Sequence, residues 1–373
     1  MQIDRRRWLT ALSMALGGGL LSGAAPLHAA APPRGAGSSR ARLSLNENPF
    51  GPAPGVRAAL EREMSELCRY TTEAGYDALV TAIARKERID AAQVILGEIL
   101  EPLGTHLAQR GGAGGEFIYS DPGYTALIDA AVAVGARAVP VPLSAALGND
   151  LGALEARIGP QTRALYLVNP HNPTGTVSDP EELRRFARDA ARRTLVIVDE
   201  AYLEFADRFE SRTLADLVRA GDNVIVFRTF AKIYGLAGLE IGYGLVPKPL
   251  AAVLKGQGLT NPHLFNRLAV AAAAASLEDP AYIDRVRQAV AAERHDWEKL
   301  FRSLGRRSTP SAANFVFFET GLAHEEFASR LAREGIEIGR EFKPYDRWAR
   351  ISIGLPEENS LARAAVRDVL SGA

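Results

Sequence analysis

The sequence predicts an α/β fold: a mostly parallel central sheet flanked by helices, followed by a smaller C-terminal α/β domain. Two observations carry this. The runs ALYLVNP (Ala164–Pro170), TLVIVDEAY (Thr194–Tyr202) and NVIVFRTF (Asn223–Phe230) have strand length, are mainly apolar and end in polar residues. Strands buried on both faces read this way. Between the first two lies DPEELRRFARDAARR, which puts Leu183, Phe186 and Ala190 on one stripe, with an acidic start and arginines at its end. That is an amphipathic helix with charges matched to its dipole. Strand, helix, strand and strand again is the order of a parallel sheet.

Taken from the start, the chain opens with DRRRWLTALSMALGGGLLSGAAPLHAAA, twin arginines before a short apolar region and small residues ending near Ala29 to Ala31. Residues 1–31 are therefore expected to be a signal peptide of twin-arginine type, with export to the periplasm or medium. APPRGAGSSRAR continues it as a Pro/Gly/Ser linker, residues 32–42. A large domain is expected over 67–255. A smaller one follows over 256–373, where the Ala-rich stretch to LFRSLG is helical with a break at Pro280, and ANFVFFET and ARISIGLP are strands around the helix HEEFASRLAREG.

Composition narrows the function. The 373 residues are 47% hydrophobic and carry no net formal charge, enough apolar material for a large core. Balanced charge speaks against nucleic acid as the main partner, because phosphate tracking needs an excess of Lys and Arg. After the signal region no apolar run reaches the roughly 18 residues of a membrane span. The one cysteine, Cys68, excludes an intrachain disulfide and a Cys-based zinc cluster, and no metal site is expected.

Polar residues at the C-terminal ends of parallel strands line a ligand crevice. Asn169–Thr174, Asp199–Tyr202 and Thr229–Lys232 are expected to converge there. A lysine in apolar surroundings loses basicity and becomes an imine-forming nucleophile. Lys232 alone reads as a snorkelling surface residue. Together with an aspartate ending a buried strand and a nearby tyrosine, it is the set that pyridoxal 5'-phosphate chemistry needs: a Schiff-base lysine and an acid that keeps the pyridine protonated.

These segments, with LSLNENPFGPAP, CRYTTEAG, YSDPGYTAL and RTFAKIYGLAGLEIGYG, resemble the fold-type-I pyridoxal-phosphate-dependent aminotransferases of class I/II, nearest to the histidinol-phosphate aminotransferase group. The resemblance covers the chain after the export segment. It implies that Lys232 carries the cofactor and shuttles the α-proton, and that Asp199 pairs with the pyridine nitrogen. Asn172 and Tyr202 would bond the ring oxygen, Tyr124 would stack on the ring, and Arg350 would clamp the substrate carboxylate. Asn48 and Arg340 are further substrate-binding candidates. The segment 43–66 would pack on the small domain, with Asn46 to Gly51 folded over the site. Tyr70 would reach the phosphate of a neighbouring subunit in a homodimer. The substrates implied are an amino donor and a 2-oxo acid.

The phosphate end departs from the family. The glycine-rich phosphate turn is shortened to VILGEILEPLG, the serine before the lysine is Ala231, and the arginine expected eight residues after it is Glu240. Thr229, Arg228 and Tyr70 are the alternative phosphate holders. The same losses leave two further functions open: a non-catalytic exported ligand-binding protein, or a pyridoxal enzyme of lyase or oxidase type.

Overall fold

The computed structural model describes residues 39–110 and 114–372; the expected export signal lies outside the described residues. The strands are β1 (Ala41–Leu43), β2 (Val94–Leu96), β3 (Glu116–Asp121), β4 (Arg137–Pro142), β5 (Thr162–Val168), β6 (Leu195–Asp199), β7 (Val224–Thr229), β8 (Gly242–Leu245), β9 (Phe315–Glu319), β10 (Ile336–Ile338) and β11 (Trp348–Ser352). Seven of them form one sheet in the order β2-β8-β7-β6-β5-β3-β4. β7, β6, β5, β3 and β4 run parallel, and β8 is antiparallel to both its neighbours. The α/β architecture read from the apolar runs is thus the one observed.

Alternation explains why those runs are apolar throughout. On β6, Val196 and Val198 join one core cluster while Leu195 and Ile197 join the other; on β7, Val224 and Val226 oppose Ile225 and Phe227 in the same way. With period 2 and helices on both faces, each position is inside. Each such side chain contributes roughly 1.5–3 kcal/mol by burial.

The helix Pro180–Ala191 starts where Asp179 accepts from the amides of Glu181 and Glu182, and buries Leu183, Phe186, Ala187 and Ala190. That cap satisfies two amides which the helix leaves unbonded. The Ala-rich stretch divides at Pro280 into helices Arg267–Leu277 and Pro280–Ser303, the second capped by Asp279. Proline is suited to a first turn, since its missing N–H is not needed there.

β1 pairs in parallel with β10, and β9 in antiparallel with β11. Ala41 and Arg42 belong to β1, so strand structure starts within the segment read as linker. Beyond it, the backbone amide of Asn46 donates to Ser352 Oγ, while Asn314 donates to the carbonyls of Asn46 and Glu47. The N-terminal segment is thereby tied to β11 and β9, and then crosses the lysine turn. There a Cβ on Gly235 (φ +71°) would lie 2.5 Å from the Gly51 carbonyl carbon, so this position admits glycine alone. No helix among the described residues is long and apolar enough to cross a membrane.

Candidate active site

A cavity of about 440 Å³ opens at the C-terminal ends of β6 and β7. Asp199 and Thr229 end these strands, and with Tyr124, Tyr202 and Lys232 they line it. Five sequence-predicted residues therefore share one wall-to-wall space. Glu98, Glu101 and Glu240 line it too.

Asp199 is buried. Its Oδ1 accepts from the Ala201 amide at 3.0 Å and its Oδ2 from the Tyr166 hydroxyl at 2.9 Å. Burial pushes its carboxyl up to about 6, against those two hydrogen bonds and the charge of Lys232. Such a carboxylate lacks a full counter-charge and favours a cationic partner. Tyr166 went unread in the sequence, although it is the one residue of ALYLV with a polar tip.

Lys232 is half-buried rather than deep. Its Nζ lies 5.7 Å from the centre of the Tyr202 ring and 3.5 Å from the Leu45 carbonyl. Tyr202 is buried, edge-on to Phe315 at 5.1 Å, and its hydroxyl accepts from Asn46 Nδ2 at 3.2 Å. Tyr124, 46% exposed, lines the same cavity. Partial burial, then the Asp199 carboxylate, raise its phenol to about 12.

Arg350, on β11, is buried beside the cavity. Nη1 donates to Asn172 Oδ1 at 2.6 Å and Nη2 to the Ser44 carbonyl at 2.8 Å, while Nε has no partner. Burial lowers the guanidinium to about 10, with Tyr202 opposing and Arg340 adding to the effect. The Asn172 carbonyl oxygen faces the arginine, so its amide NH₂ is left for a ring oxygen. The Phe342 ring touches both guanidiniums, Arg340 at 4.3 Å and Arg350 at 4.9 Å. Arg340 itself is exposed, bonds the Glu341 carbonyl and is not among the cavity residues.

Several expectations change. Asn48 holds the loop: Nδ2 donates to the Ile233 carbonyl at 2.8 Å and Oδ1 accepts from Phe50, which engages both ends of the amide. Arg228 does not reach the phosphate end, because alternation turns it to the far face of β7, onto Glu87 at 2.8 Å and Glu200 at 3.0 Å. Thr229 faces the cavity, but its hydroxyl donates to Glu98 Oε1 at 2.6 Å and accepts from the Ala231 amide at 3.0 Å. Tyr70 lies outside this cavity, 77% exposed and 5.7 Å from the His263 ring. Cys68 is exposed. Among the described residues no three His, Cys, Asp or Glu side chains are grouped to hold a metal ion.

The residues fit a pyridoxal ring and do not fit its phosphate. An acid, a phenol and a lysine line the cavity at the ring end, whereas Asn172, whose side chain is held by Arg350, is not among the lining residues, nor is any other of Asn169–Thr174. At the phosphate end stand Glu98, whose carboxyl is raised by burial and by Asp199 and Glu240 against Thr229 and Lys232, and Glu240. The latter is exposed, left-handed (φ 47°) and without a hydrogen bond or ion pair among the described residues.

The sequence profile of aminotransferase class I and II matches residues 40–366. The chain belongs to that family. This aminotransferase is 37% identical over 341 residues to "Histidinol-phosphate aminotransferase 2" of Pseudomonas fluorescens, covering 90% of each chain. It is 33% identical to the histidinol-phosphate aminotransferase of Limosilactobacillus fermentum, over 88% of this chain and 91% of that one. In three dimensions it superposes on the histidinol-phosphate aminotransferase of Sinorhizobium meliloti in complex with pyridoxal-5'-phosphate, with TM-score 0.79, 32% identity and coverage of 90% and 91%.

Proposed function

We propose that this chain moves an amino group between an amino acid, or a related amine, and a 2-oxo acid, with a pyridoxal group carried on Lys232. One observation carries the reading: Lys232 and Asp199 line a single cavity together with Tyr124 and Tyr202. When bound, a pyridoxal group supplies an aldehyde that takes up amines and a protonated ring that draws electrons from the α-carbon. Asp199 would hold the proton on the ring nitrogen. Tyr202 and Asn172 would hold the ring oxygen, and Tyr124 would cover a ring face. Lys232 Nζ would take the proton from the substrate's α-carbon and return it, and Arg350 Nε would complete the grip on a substrate carboxylate.

The test is mass spectrometry of products from a panel of amino acids and 2-oxo acids. Lys232→Ala should lower amino transfer by about 10²–10⁴-fold or more. A variant as active as the parent chain sinks the assignment. Carbon dioxide or peroxide in place of the exchanged pair would favour the lyase or oxidase reading, and no product at all the binding-protein reading.

Two parts of the proposal rest on other features. A homodimer is supported by exposed apolar side chains at Met64, Leu67, Tyr70 and Leu264, on neighbouring segments joined by Arg267 bonds to the Glu66 and Arg69 carbonyls. A monomer by light scattering would remove Tyr70 from any site. Export is supported by the sequence of residues 1–31; finding the intact chain only in the cytoplasmic fraction would overturn it.

A further inference from the structure

The two ends of the cavity ask for different ligands. At the ring end a buried carboxylate and a lysine await a protonated heterocycle and an aldehyde. On the same lining, where the resemblance leads one to expect an anion from the ligand, the chain already holds a carboxyl of its own, Glu98. Glu98 Oε1 takes the Thr229 hydroxyl at 2.6 Å, and the Ala231 amide donates to that same threonine oxygen at 3.0 Å. Two donors an incoming phosphate needs are therefore engaged. Position 231 brings no hydroxyl, and the guanidinium of Arg228 lies beyond the sheet with Glu87 and Glu200.

Glu98 also stands just before the helix Leu100–Gln109, whose first turn carries Glu101. The positive end of this helix, a natural anion site, thus meets the chain's own carboxylates. Glu240 adds a third at the rim. Against them the cavity wall presents one cation, Lys232. A phosphate ester bears about −1.5 to −2 charge near neutral pH, and like charges at such separations repel.

We infer that the chain's own Glu98 carboxylate fills the phosphate seat of this site, so that the unphosphorylated aldehyde pyridoxal binds at least as well as its phosphate ester. The inference rests on the proposed role of Lys232. The covalent step is the same for either aldehyde: Nζ adds to the carbonyl carbon, one water leaves, and no oxidant or reductant is needed. Selectivity then comes from Glu98, because the hydroxymethyl group of pyridoxal is neutral and can donate a hydrogen bond to that carboxylate.

The experiment titrates the purified full chain with pyridoxal and, separately, with pyridoxal 5'-phosphate at neutral pH. Binding is followed by absorbance of the adduct; borohydride then fixes it for peptide mass spectrometry. Adducts on Lys232 with pyridoxal equal to or tighter than the ester are expected. An ester that binds more than about tenfold tighter, a 1.4 kcal/mol preference, overturns the inference while leaving the proposed function standing. No adduct from either aldehyde overturns both. A double variant, Glu98→Gln with Glu240→Arg, should shift the ratio of the two dissociation constants toward the ester by about tenfold or more. An unchanged ratio would show that these carboxylates do not set the preference.

Discussion

Arg228 and Thr229 are neighbours on β7, yet they face two different kinds of charged environment. Behind the sheet, Arg228 lies between Glu87 and Glu200, and Lys86 bridges Glu87 and Glu204 at 3.2 and 2.7 Å. Hydroxyls of Thr213, Tyr234 and Tyr243 complete the cluster. Burial alone would raise Glu87, but Arg228 and Lys86 outweigh it and hold that carboxyl down to about 2. In the cavity, Asp199 goes the other way, up to about 6. Both carboxylates are buried; they differ in whether the protein itself supplies the cation. Charges that serve the fold are paired within the chain, whereas those of the cavity are left for a ligand to complete.

The strongest way to break this contrast is Arg228→Met. Removing the guanidinium leaves two buried carboxylates short of a partner, a loss of about 3–5 kcal/mol readable as a lower denaturation midpoint. Adding Glu87→Gln should recover part of the loss, because the two residues share one network. A midpoint unchanged by Arg228→Met would mean that the far-side cluster is not what holds these charges.

A second measurement sharpens the contrast through pH. Glu87 has its folded value lowered, so its contribution is present above about 4.5 and is lost as pH falls toward 2. Asp199 has its folded value raised from 3.8 to about 6, so its contribution is present below 3.8 and is lost as pH rises through 6. The ligand-free chain should lose up to about 3 kcal/mol through Asp199 between pH 4 and 7. Asp199→Asn should flatten that part of the profile in urea unfolding. An identical slope in parent and variant would show that Asp199 does not titrate there.

Much of this was legible in the sequence for a physical reason. β5, β6 and β7 are buried on both faces, so their apolar runs are unbroken, and their last residues deliver Asp199 and Thr229 to the same edge. β4 was not legible: RAVPVP carries Pro140 and Pro142, tolerable because this is an edge strand. Arg228 was misplaced although alternation alone sets it opposite Thr229. The direction of Glu240 was beyond any pattern, since it depends on a single left-handed residue at the end of a short turn. Asn48 looked like a ligand residue because nothing in LSLNENPFG announces that the loop needs its amide.

The smallest expected effect probes a cation that breaks the rule from the other side. Arg350 is buried like Arg228 but meets no carboxylate, only neutral oxygens, and its Nε is unpaired. Gly339 donates its amide to the Arg350 carbonyl at 3.0 Å, and a Cβ there would sit 3.0 Å from that carbonyl oxygen, 3.1 Å from Nε and 3.2 Å from Nη2. Those contacts are tighter than side chains normally tolerate, so Gly339→Ala should push the guanidinium off its seat without removing its charge. If Arg350 waits for a substrate carboxylate, KM for carboxylate-bearing substrates should rise about tenfold, roughly 1.4 kcal/mol, with kcat falling less. A bidentate grip depends on orientation as much as on charge, so the shift should be small for an amine lacking the carboxylate. Equal effects on both substrates would place the carboxylate elsewhere and leave Arg350 as a brace between Ser44 and Asn172.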